Sequence, residues 1–189
     1  MLRVAPLPLS AMFALLLSLL VLPAAARAES CGPGSMIISA GQTYDRAARA
    51  GSASAFSAGV NRFSDMRSLA MFSLGRYRKI LPKSRENEYV SLTRQFMGRF
   101  MLEHGKDLRV GTLQIVSCRG STKNTVVSAK TAGGQSIVFR TYRGRGGWLI
   151  RDMKVSGIWL VQQMRSAFVG TISRTNGDID ELFKFIKNY

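Results

Sequence analysis

Few residues of this sequence have side chains that could carry out chemistry, and their spacing does not assemble a catalytic site. His104 is the single histidine, and it falls at the predicted end of a helix, where a capping or surface role is usual. Cys31 and Cys118 are far apart and have no Cys or His neighbour, so they lack the spacing of a metal motif. The glycines from Gly144 to Gly147 are typical of a turn between strands rather than of a phosphate-binding loop. These residue types predict a protein that is not an enzyme and needs neither a cofactor nor a metal.

The segment RTYRGRGG, from Arg140 to Gly147, has the residue types of a nucleic-acid contact. Arginine–glycine tracts bind RNA, and Tyr142 adds an aromatic ring on which a base can stack. The same residues also suit a basic hairpin turn between two strands. We favour the turn, because the N-terminus predicts export from the compartment that holds most nucleic acid. No nucleic-acid partner is therefore expected.

The N-terminus has the three parts of a secretory signal peptide. Arg3 supplies a basic start, residues 11–22 are apolar, and Pro23 is followed by the small-residue site that ends at Ala28. The apolar stretch is shorter than the roughly 20 residues that a membrane-spanning helix needs. We therefore predict a signal peptide over residues 1–28, cleaved after Ala28. A retained N-terminal membrane anchor is the alternative.

The remaining residues, 29–189, are enough for one domain with a real core. The chain is 46% hydrophobic and 20% charged, as in globular proteins. Its 27 basic and 11 acidic residues give a net charge of +16, which attracts polyanions. In an exported protein the expected partner is the anionic surface of a membrane. The alternative is that the excess charge only keeps the protein soluble.

The cysteine pair allows two interpretations. In an oxidising compartment, Cys31 and Cys118 can form a disulfide that joins the mature N-terminus to a strand. Cys31 can also be compared with a lipoprotein cysteine, but the sequence from Ala28 to Ser30 carries a charge and lacks the large apolar residue expected three places earlier. The sequence alone leaves the disulfide open.

Hydrophobic periodicity predicts three helices in the first part of the chain. They cover residues 38–56, residues 61–77 and a longer stretch that Ser84 caps and that ends near Glu103. The third helix has a stripe of apolar and aromatic residues at spacings of three and four: Tyr89, Leu92, Thr93, Phe96, Met97, Phe100 and Met101. Such a stripe either lines a ligand cavity or forms ordinary core.

Beyond His104 the period changes to two, which indicates strands. Four strands are predicted, at residues 110–116, 125–131, 137–142 and 148–155, and the short glycine-bearing links between them favour hairpins. Two amphipathic helices follow, at residues 158–175 and 178–187. The predicted fold class is α+β, with a four-stranded antiparallel meander covered on one face by N- and C-terminal helices.

Two ordered segments carry a family resemblance. The stretch from Gly146 to Ile172 resembles the signature of the MlaC-type phospholipid-binding proteins, also called the toluene-tolerance family. The matching positions are Trp148, Asp152, Val155, Gly157, Arg165 and Phe168, with Met153 and Ile158 as apolar replacements. The stretch from Met66 to Met97 is similar to a second segment of the family, and the matching positions there are Leu74, Gly75, Arg76, Tyr77 and Phe96.

The sequence departs from this signature at three positions near its end. Ser156 stands where the family has glutamate, Trp159 where it has serine, and Met164 where it has tyrosine. A lipid other than phospholipid is therefore an open alternative, and a subgroup of the family is associated with hopanoids, which are sterol-like lipids.

The resemblance implies a periplasmic carrier that shuttles phospholipid between an outer-membrane lipoprotein complex and an inner-membrane ABC-transporter complex. We expect the acyl chains to enter an apolar cavity between the sheet and the helices. The lipid-contacting residues are predicted to be Phe72, Leu74, Tyr77, Phe96, Phe100, Phe139, Trp148, Ile150, Ile158, Val161 and Phe168. Arg76, Arg143 and Arg165 are expected to meet a lipid head group or an anionic membrane, although Arg165 can also pair with Asp152.

Two alternatives to a phospholipid carrier stay open on the sequence. The ligand can be a hopanoid or another lipid. In a different class, the chain is an envelope interaction module whose helical stripes form a fully packed core and whose basic surface docks on a partner.

Overall fold

The computed structural model describes residues 31–104 and 112–189. The predicted signal peptide with its cleavage site at Ala28, and the start of the first predicted strand at Val110, lie outside these residues. The described elements, in chain order, are α1 Gly34–Arg49, α2 Ala53–Phe63, α3 Met66–Ser73, α4 Glu86–His104, β1 Gln114–Ser121, β2 Asn124–Lys130, β3 Ser136–Gly144, β4 Gly147–Val155, β5 Ile158–Trp159, α5 Leu160–Arg174 and α6 Ile179–Asn188.

The strands form one antiparallel sheet in the order β1-β2-β3-β4-β5, which confirms the α+β class and the meander. The predicted count of four strands is wrong, because a fifth strand pairs Ile158 with Val155. Ser156 and Gly157, with φ of 49° and 87°, form the two-residue turn that makes this hairpin possible. Two residues are too few to show alternation, so the sequence assigned Ile158 to the following helix.

The N-terminal helices are shorter than predicted, because capping residues interrupt the apolar periodicity. The predicted helix at 38–56 is divided by Gly51, whose φ is +57°, and by Ser52, whose hydroxyl caps α2 by accepting from the backbone N–H of Ala55 at 3.1 Å. The predicted helix at 61–77 is divided at Asp65, which caps α3. A 3-10 segment, Gly75–Ile80, then leads towards α4, and the chain before α4 includes a second short 3-10 turn at Lys83–Arg85.

The helices pack on one another and on the sheet. Helix α2 lies against α1 and α4, α3 against α4 and α5, and α6 against α4 and α5. Gly98 allows the close approach of α4 to α2, because a Cβ atom there would collide with the hydroxyl of Ser57 and the carbonyl oxygen of Ala53. Helices α1, α2 and α5 contact the sheet. Within the described residues, no helix is long and apolar enough to cross a bilayer.

The sheet contributes alternate side chains to the core. Val127 lies opposite Phe139, and Ala129 lies opposite Ile137, and all four are at most 2% exposed. Cys31 and Cys118 are joined in a disulfide with a Cα–Cα distance of 5.5 Å, so the chain before α1 is tied to β1.

Candidate functional site

A cavity of about 170 Å³, here called the first cavity, lies where the helices meet strand β4. Its walls are mostly apolar and come from helices α1 to α6 and the strand. The lining residues are Tyr44, Val60, Ser64, Leu69, Phe96, Met97, Phe100, Met101, Ile150, Arg151, Asp152, Met153, Leu160, Val161, Gln163, Met164, Ala167, Phe185 and Tyr189. The volume is below the roughly 300–1,000 Å³ of typical ligand sites, so a large ligand requires the walls to move apart.

Aromatic rings form one wall of the first cavity. Phe96 and Phe100 lie one turn apart on α4, and their ring centroids are 6.2 Å apart. The Phe96 ring also meets Tyr189 at 4.5 Å and Phe185 at 6.3 Å, so α6 closes this side. Partial burial, and then the nearby Glu103 carboxylate, raise the pKa of Tyr189 to about 12. Its phenol is therefore neutral at physiological pH.

Four methionines from α4, β4 and α5 line other parts of the first cavity: Met97, Met101, Met153 and Met164. A thioether side chain is unbranched and has three rotatable bonds, so it can change shape at little cost. Met101 and Met164 are only 5% and 6% exposed, yet both lie against empty volume. The wall can therefore rearrange without a change in the backbone.

A second cavity, of about 440 Å³, adjoins the first. The two share Leu69, Ile150, Arg151, Asp152 and Val161. The second cavity is more polar, because its other lining residues are Asp65, Ser68, Phe72, Arg140, Tyr142 and Gln162. The apolar first cavity and the amphipathic second cavity are thus separated by the five shared residues, here called the partition.

Asp152 holds the partition in place. The residue is 4% exposed, and its Oδ1 accepts the backbone N–H groups of Met153 at 2.8 Å and of Val161 at 2.9 Å. Since Trp159, the residue before α5, offers no side-chain cap, Asp152 caps this helix from the sheet. Burial raises the pKa of Asp152, and the backbone N–H donors partly offset that rise.

Asp65 has the opposite electrostatic situation. It accepts the backbone N–H of Ser68 at 3.0 Å and the Ser68 hydroxyl at 2.7 Å, and so caps α3 at the rim of the second cavity. The hydrogen bond from the Ser68 N–H holds the pKa of Asp65 below its usual value. Burial, and then the Asp65 charge, raise the pKa of the neighbouring Tyr142.

Five of the predicted lipid-contacting residues line these cavities. Phe96 and Phe100 face the first, Phe72 faces the second, and Ile150 and Val161 face both. Phe72 is 39% exposed, so it belongs to the rim rather than to the interior.

The other predicted lipid-contacting residues lie elsewhere. Leu74, Phe139 and Phe168 are at most 2% exposed and belong to the packed core, outside the lining of both cavities. Trp148 lines a separate polar cavity near the disulfide. Tyr77 is half-buried beside Arg76, and Ile158 is 52% exposed on the β4–β5 hairpin.

The three predicted basic contacts are exposed or half-exposed and lie outside the lining of both cavities. Arg76 donates to the Tyr77 hydroxyl at 2.9 Å, and Arg143 lies in the β3–β4 hairpin. Arg165 donates to the carbonyl oxygen of Phe72 at 3.1 Å, and its guanidinium lies 4.6 Å from the centre of the Phe72 ring. The alternative pairing of Arg165 with Asp152 is therefore wrong, because Asp152 is occupied by backbone N–H groups.

Sequence reasoning missed several lining residues. Leu69, Arg151, Phe185 and Tyr189 were not predicted as contacts, because each reaches the cavities only through the packing of distant elements. Met97 and Met101 lay on the α4 stripe, but the stripe did not tell cavity from core. Within the described residues, no group of three or more His, Cys, Asp or Glu side chains could hold a metal ion. The absence of enzymatic activity stays a prediction.

Comparisons with known proteins agree with the family resemblance. The family model described as MlaC protein matches residues 36–188. Among solved structures, the chain is similar to a phospholipid-binding protein from Ralstonia solanacearum in complex with a phospholipid. The TM-score is 0.68 at 16% sequence identity, over 82% of this chain and 94% of that one. A comparison with curated proteins gives no match. The family resemblance is confirmed, and the structural likeness supports the fold.

Proposed function

The chain belongs to the MlaC family, and we propose on this premise that it binds phospholipid by its acyl chains and carries it across the periplasm. The carrier would exchange lipid with an outer-membrane lipoprotein complex and an inner-membrane ABC-transporter complex. The observation that carries the proposal is the first cavity, with its aromatic and methionine walls. The phospholipid bound to the structurally similar protein from R. solanacearum supports it.

The energetics of lipid transfer explain why a protein is needed. Two acyl chains of about 16 carbons, at ~0.8 kcal/mol per methylene, oppose release into water by roughly 25 kcal/mol. A carrier removes most of this barrier by offering apolar walls in place of the bilayer. The task requires a dry space and a wet opening, and it requires no catalytic group.

The first cavity must widen to hold acyl chains, because its volume is about 170 Å³. The four lining methionines provide the means, since their side chains can rotate away from the centre. The partition, which includes Leu69, Ile150 and Val161, is the second place where the space can grow, because the second cavity lies directly behind it. We propose that a bound lipid uses both spaces.

The basic surface supports contact with anionic membranes. Arg165 lies beside the exposed ring of Phe72, at the rim of the second cavity, and Arg76 is exposed beside Tyr77. Arg143 lies in an exposed hairpin. Each such cation near an anionic surface contributes about 1 kcal/mol of attraction. We propose that these three arginines meet lipid phosphates while the protein loads or unloads.

Export is part of the proposal. Residues 1–28 would be removed after Ala28, which leaves residues 29–189 as one lipid-binding domain in the periplasm. The disulfide between Cys31 and Cys118 supports an oxidising compartment.

Purification without detergent tests the proposed function. The full chain is expressed with its own N-terminus, isolated from the periplasm, and examined by native and denaturing mass spectrometry. We expect the mass of a protein that begins at Glu29 with about one phospholipid bound. A core-only variant such as Val127→Ala, which does not touch either cavity, serves as the control and should retain the same lipid.

The other outcomes of this experiment indicate a different ligand or a different function. A bound hopanoid would keep the carrier function and replace the ligand. A protein that is reproducibly empty and takes up no added lipid would contradict the proposal and favour the envelope interaction module.

A further inference from the structure

Strand β4 contains one extra residue at the wall between the two cavities. Arg140 of β3 lies opposite Asp152 and the next residue, Thr141, lies opposite Ile150, so Arg151 has no counterpart. A bulge of this kind redirects a side chain, and bulges are frequent next to functional sites. Arg151 consequently lines both cavities, although it is on an otherwise regular strand.

We infer that Arg140 and Arg151 together bind the phosphate of a lipid whose acyl chains occupy the first cavity. The inference rests on the proposed function and names the recognised group, a phosphate ester carried on acyl chains. Both arginines line the second cavity, which shares a wall with the first. The amphipathic space is thus adjacent to the apolar one, as the head group is adjacent to the tails of a phospholipid.

Aromatic rings hold both guanidinium groups in place. The Arg140 guanidinium lies 3.9 Å from the centre of the Trp159 ring, and that of Arg151 lies 4.6 Å from the centre of the Tyr142 ring. Stacking fixes the plane of a guanidinium but uses none of its N–H donors. The two side chains are therefore oriented in advance, with their hydrogen-bonding edges available.

Neither guanidinium is neutralised by an ion pair. In residues 31–104 and 112–189, no carboxylate lies within 4.0 Å of a charged nitrogen of Arg140 or Arg151. The same residues show no hydrogen bond from either side chain to a protein acceptor. Two planar guanidinium groups with unused N–H donors suit an anion with several acceptor oxygens, and one phosphate can accept from both.

The two carboxylates that line the second cavity form no ion pair with Arg140 or Arg151. Asp152 accepts backbone N–H groups of the β4–α5 junction, and Asp65 accepts the N–H and the hydroxyl of Ser68. Each carboxylate thus accepts hydrogen bonds from the fold, whereas the side chains of Arg140 and Arg151 donate none to it. The N–H donors of Arg140 and Arg151 therefore remain available to an anion such as phosphate.

Two ligands with identical tails test the inference. Lipid-free protein is titrated with phosphatidylglycerol and with diacylglycerol, each with the same pair of pyrene-labelled acyl chains. We expect the wild-type protein to prefer the phospholipid by at least about tenfold. The double variant Arg140→Gln/Arg151→Gln should bring the two affinities within about twofold, while its affinity for diacylglycerol stays the same. Arg140→Lys/Arg151→Lys keeps the charges but loses the planar guanidinium groups with their paired N–H donors, and it should show an intermediate preference.

The matched control is Arg78→Gln/Arg145→Gln, which removes the same charge from two exposed positions outside both cavities. It should keep the full preference. Arg151→Gln alone provides a variant that leaves the contact between Arg140 and Trp159 intact, and it should lose part of the preference. Thermal unfolding of each variant shows that it is folded.

Four results would overturn the inference. If the wild-type protein binds both ligands equally, the head-group site is contradicted and the carrier function is not. If it binds neither ligand, the head-group site and the carrier function are both contradicted. Equal losses in the control pair would mean that general charge, rather than these two arginines, sets the preference. If inorganic phosphate alone binds as tightly as the phospholipid and depends on the same arginines, the site is one for free phosphate.

Discussion

The carboxylate of Asp152 on strand β4 caps helix α5 by accepting the backbone N–H of Val161 at 2.9 Å. The bond crosses the β4–β5 hairpin and fixes the helix that supplies one wall of both cavities. Asp152→Ala should leave buried N–H groups without a partner, and we expect it to cost about 1–3 kcal/mol of the free energy of unfolding. Asp152→Asn keeps an acceptor oxygen and should cost less. Urea unfolding at neutral pH measures both.

The pH dependence of this cap has a definite sign. Burial raises the pKa of Asp152 above its usual value of about 3.9, so the folded protein keeps this proton to a higher pH than the unfolded chain does. The contribution of Asp152 to stability should therefore fall as pH rises from about 4 until the raised pKa has been passed. The free energy of unfolding of Asp152→Asn should lack this change. If the wild-type protein instead gains stability relative to Asp152→Asn as pH rises from about 4, the assignment is contradicted.

Asp65 should give the opposite pH dependence. The hydrogen bond from the Ser68 N–H lowers its pKa, so its stabilising contribution is complete above about pH 4 and is lost as pH falls through the lowered value. Asp65→Ala should cost about 1 kcal/mol at pH 7 through loss of the helix cap. Asp65→Asn can still cap α3 and should remove the pH dependence. Thermal unfolding from pH 2.5 to pH 7 compares the three proteins.

Filling the first cavity should block lipid binding without unfolding the protein. Ala167 lines this cavity, and Ala167→Phe places a ring in a space of about 170 Å³. We expect lipid affinity to fall by at least about tenfold and stability to change by no more than about 1–3 kcal/mol. Ser166→Phe puts the same ring on the exposed side of α5 and is the control. Similar lipid uptake by both variants would show that the tails lie elsewhere.

The disulfide should stabilise the fold and leave lipid binding unaltered. Cys31→Ser/Cys118→Ser opens a loop with a sequence separation of 87, and we expect a loss of about 2–4 kcal/mol. Because neither cysteine lines the first or second cavity, lipid affinity below the melting temperature should not change. Unfolding of wild type with and without a reductant, beside the double variant, checks the stability. A weaker affinity in the folded double variant would tie the N-terminus to the site.

The sequence predicted the order of elements better than their ends. Periods of 3.6 and 2 come from local geometry, so the helices, the meander and the C-terminal helix pair were visible in the residues themselves. The helix boundaries at Ser52 and Asp65 were missed, because Ser and Asp are tolerated on a helix surface and only their side-chain hydrogen bonds reveal a cap. The two-residue strand β5 was missed because it exists only through pairing with β4.

For the candidate site, too, the sequence predicted some features and only the tertiary packing decided the others. The sequence identified aromatic stripes, yet Phe96 lines the first cavity while Phe168, whose ring centroid is 5.1 Å away, is closed within the core. Both residues face inward on their helices, and the hydrophobic pattern records only that fact. Whether an inward side chain meets another side chain or empty volume depends on the elements packed opposite to it.

The sequence by itself determined the α+β class, the family and the excess of positive charge, because each is a property of residue types and their spacing. The tertiary structure decided the pairing of Cys31 with Cys118, the capping role of Asp152 and the position of Arg151 between the two cavities. These features depend on the register of one element against another. Register is set by packing and hydrogen bonds between residues distant in sequence, which no local pattern encodes.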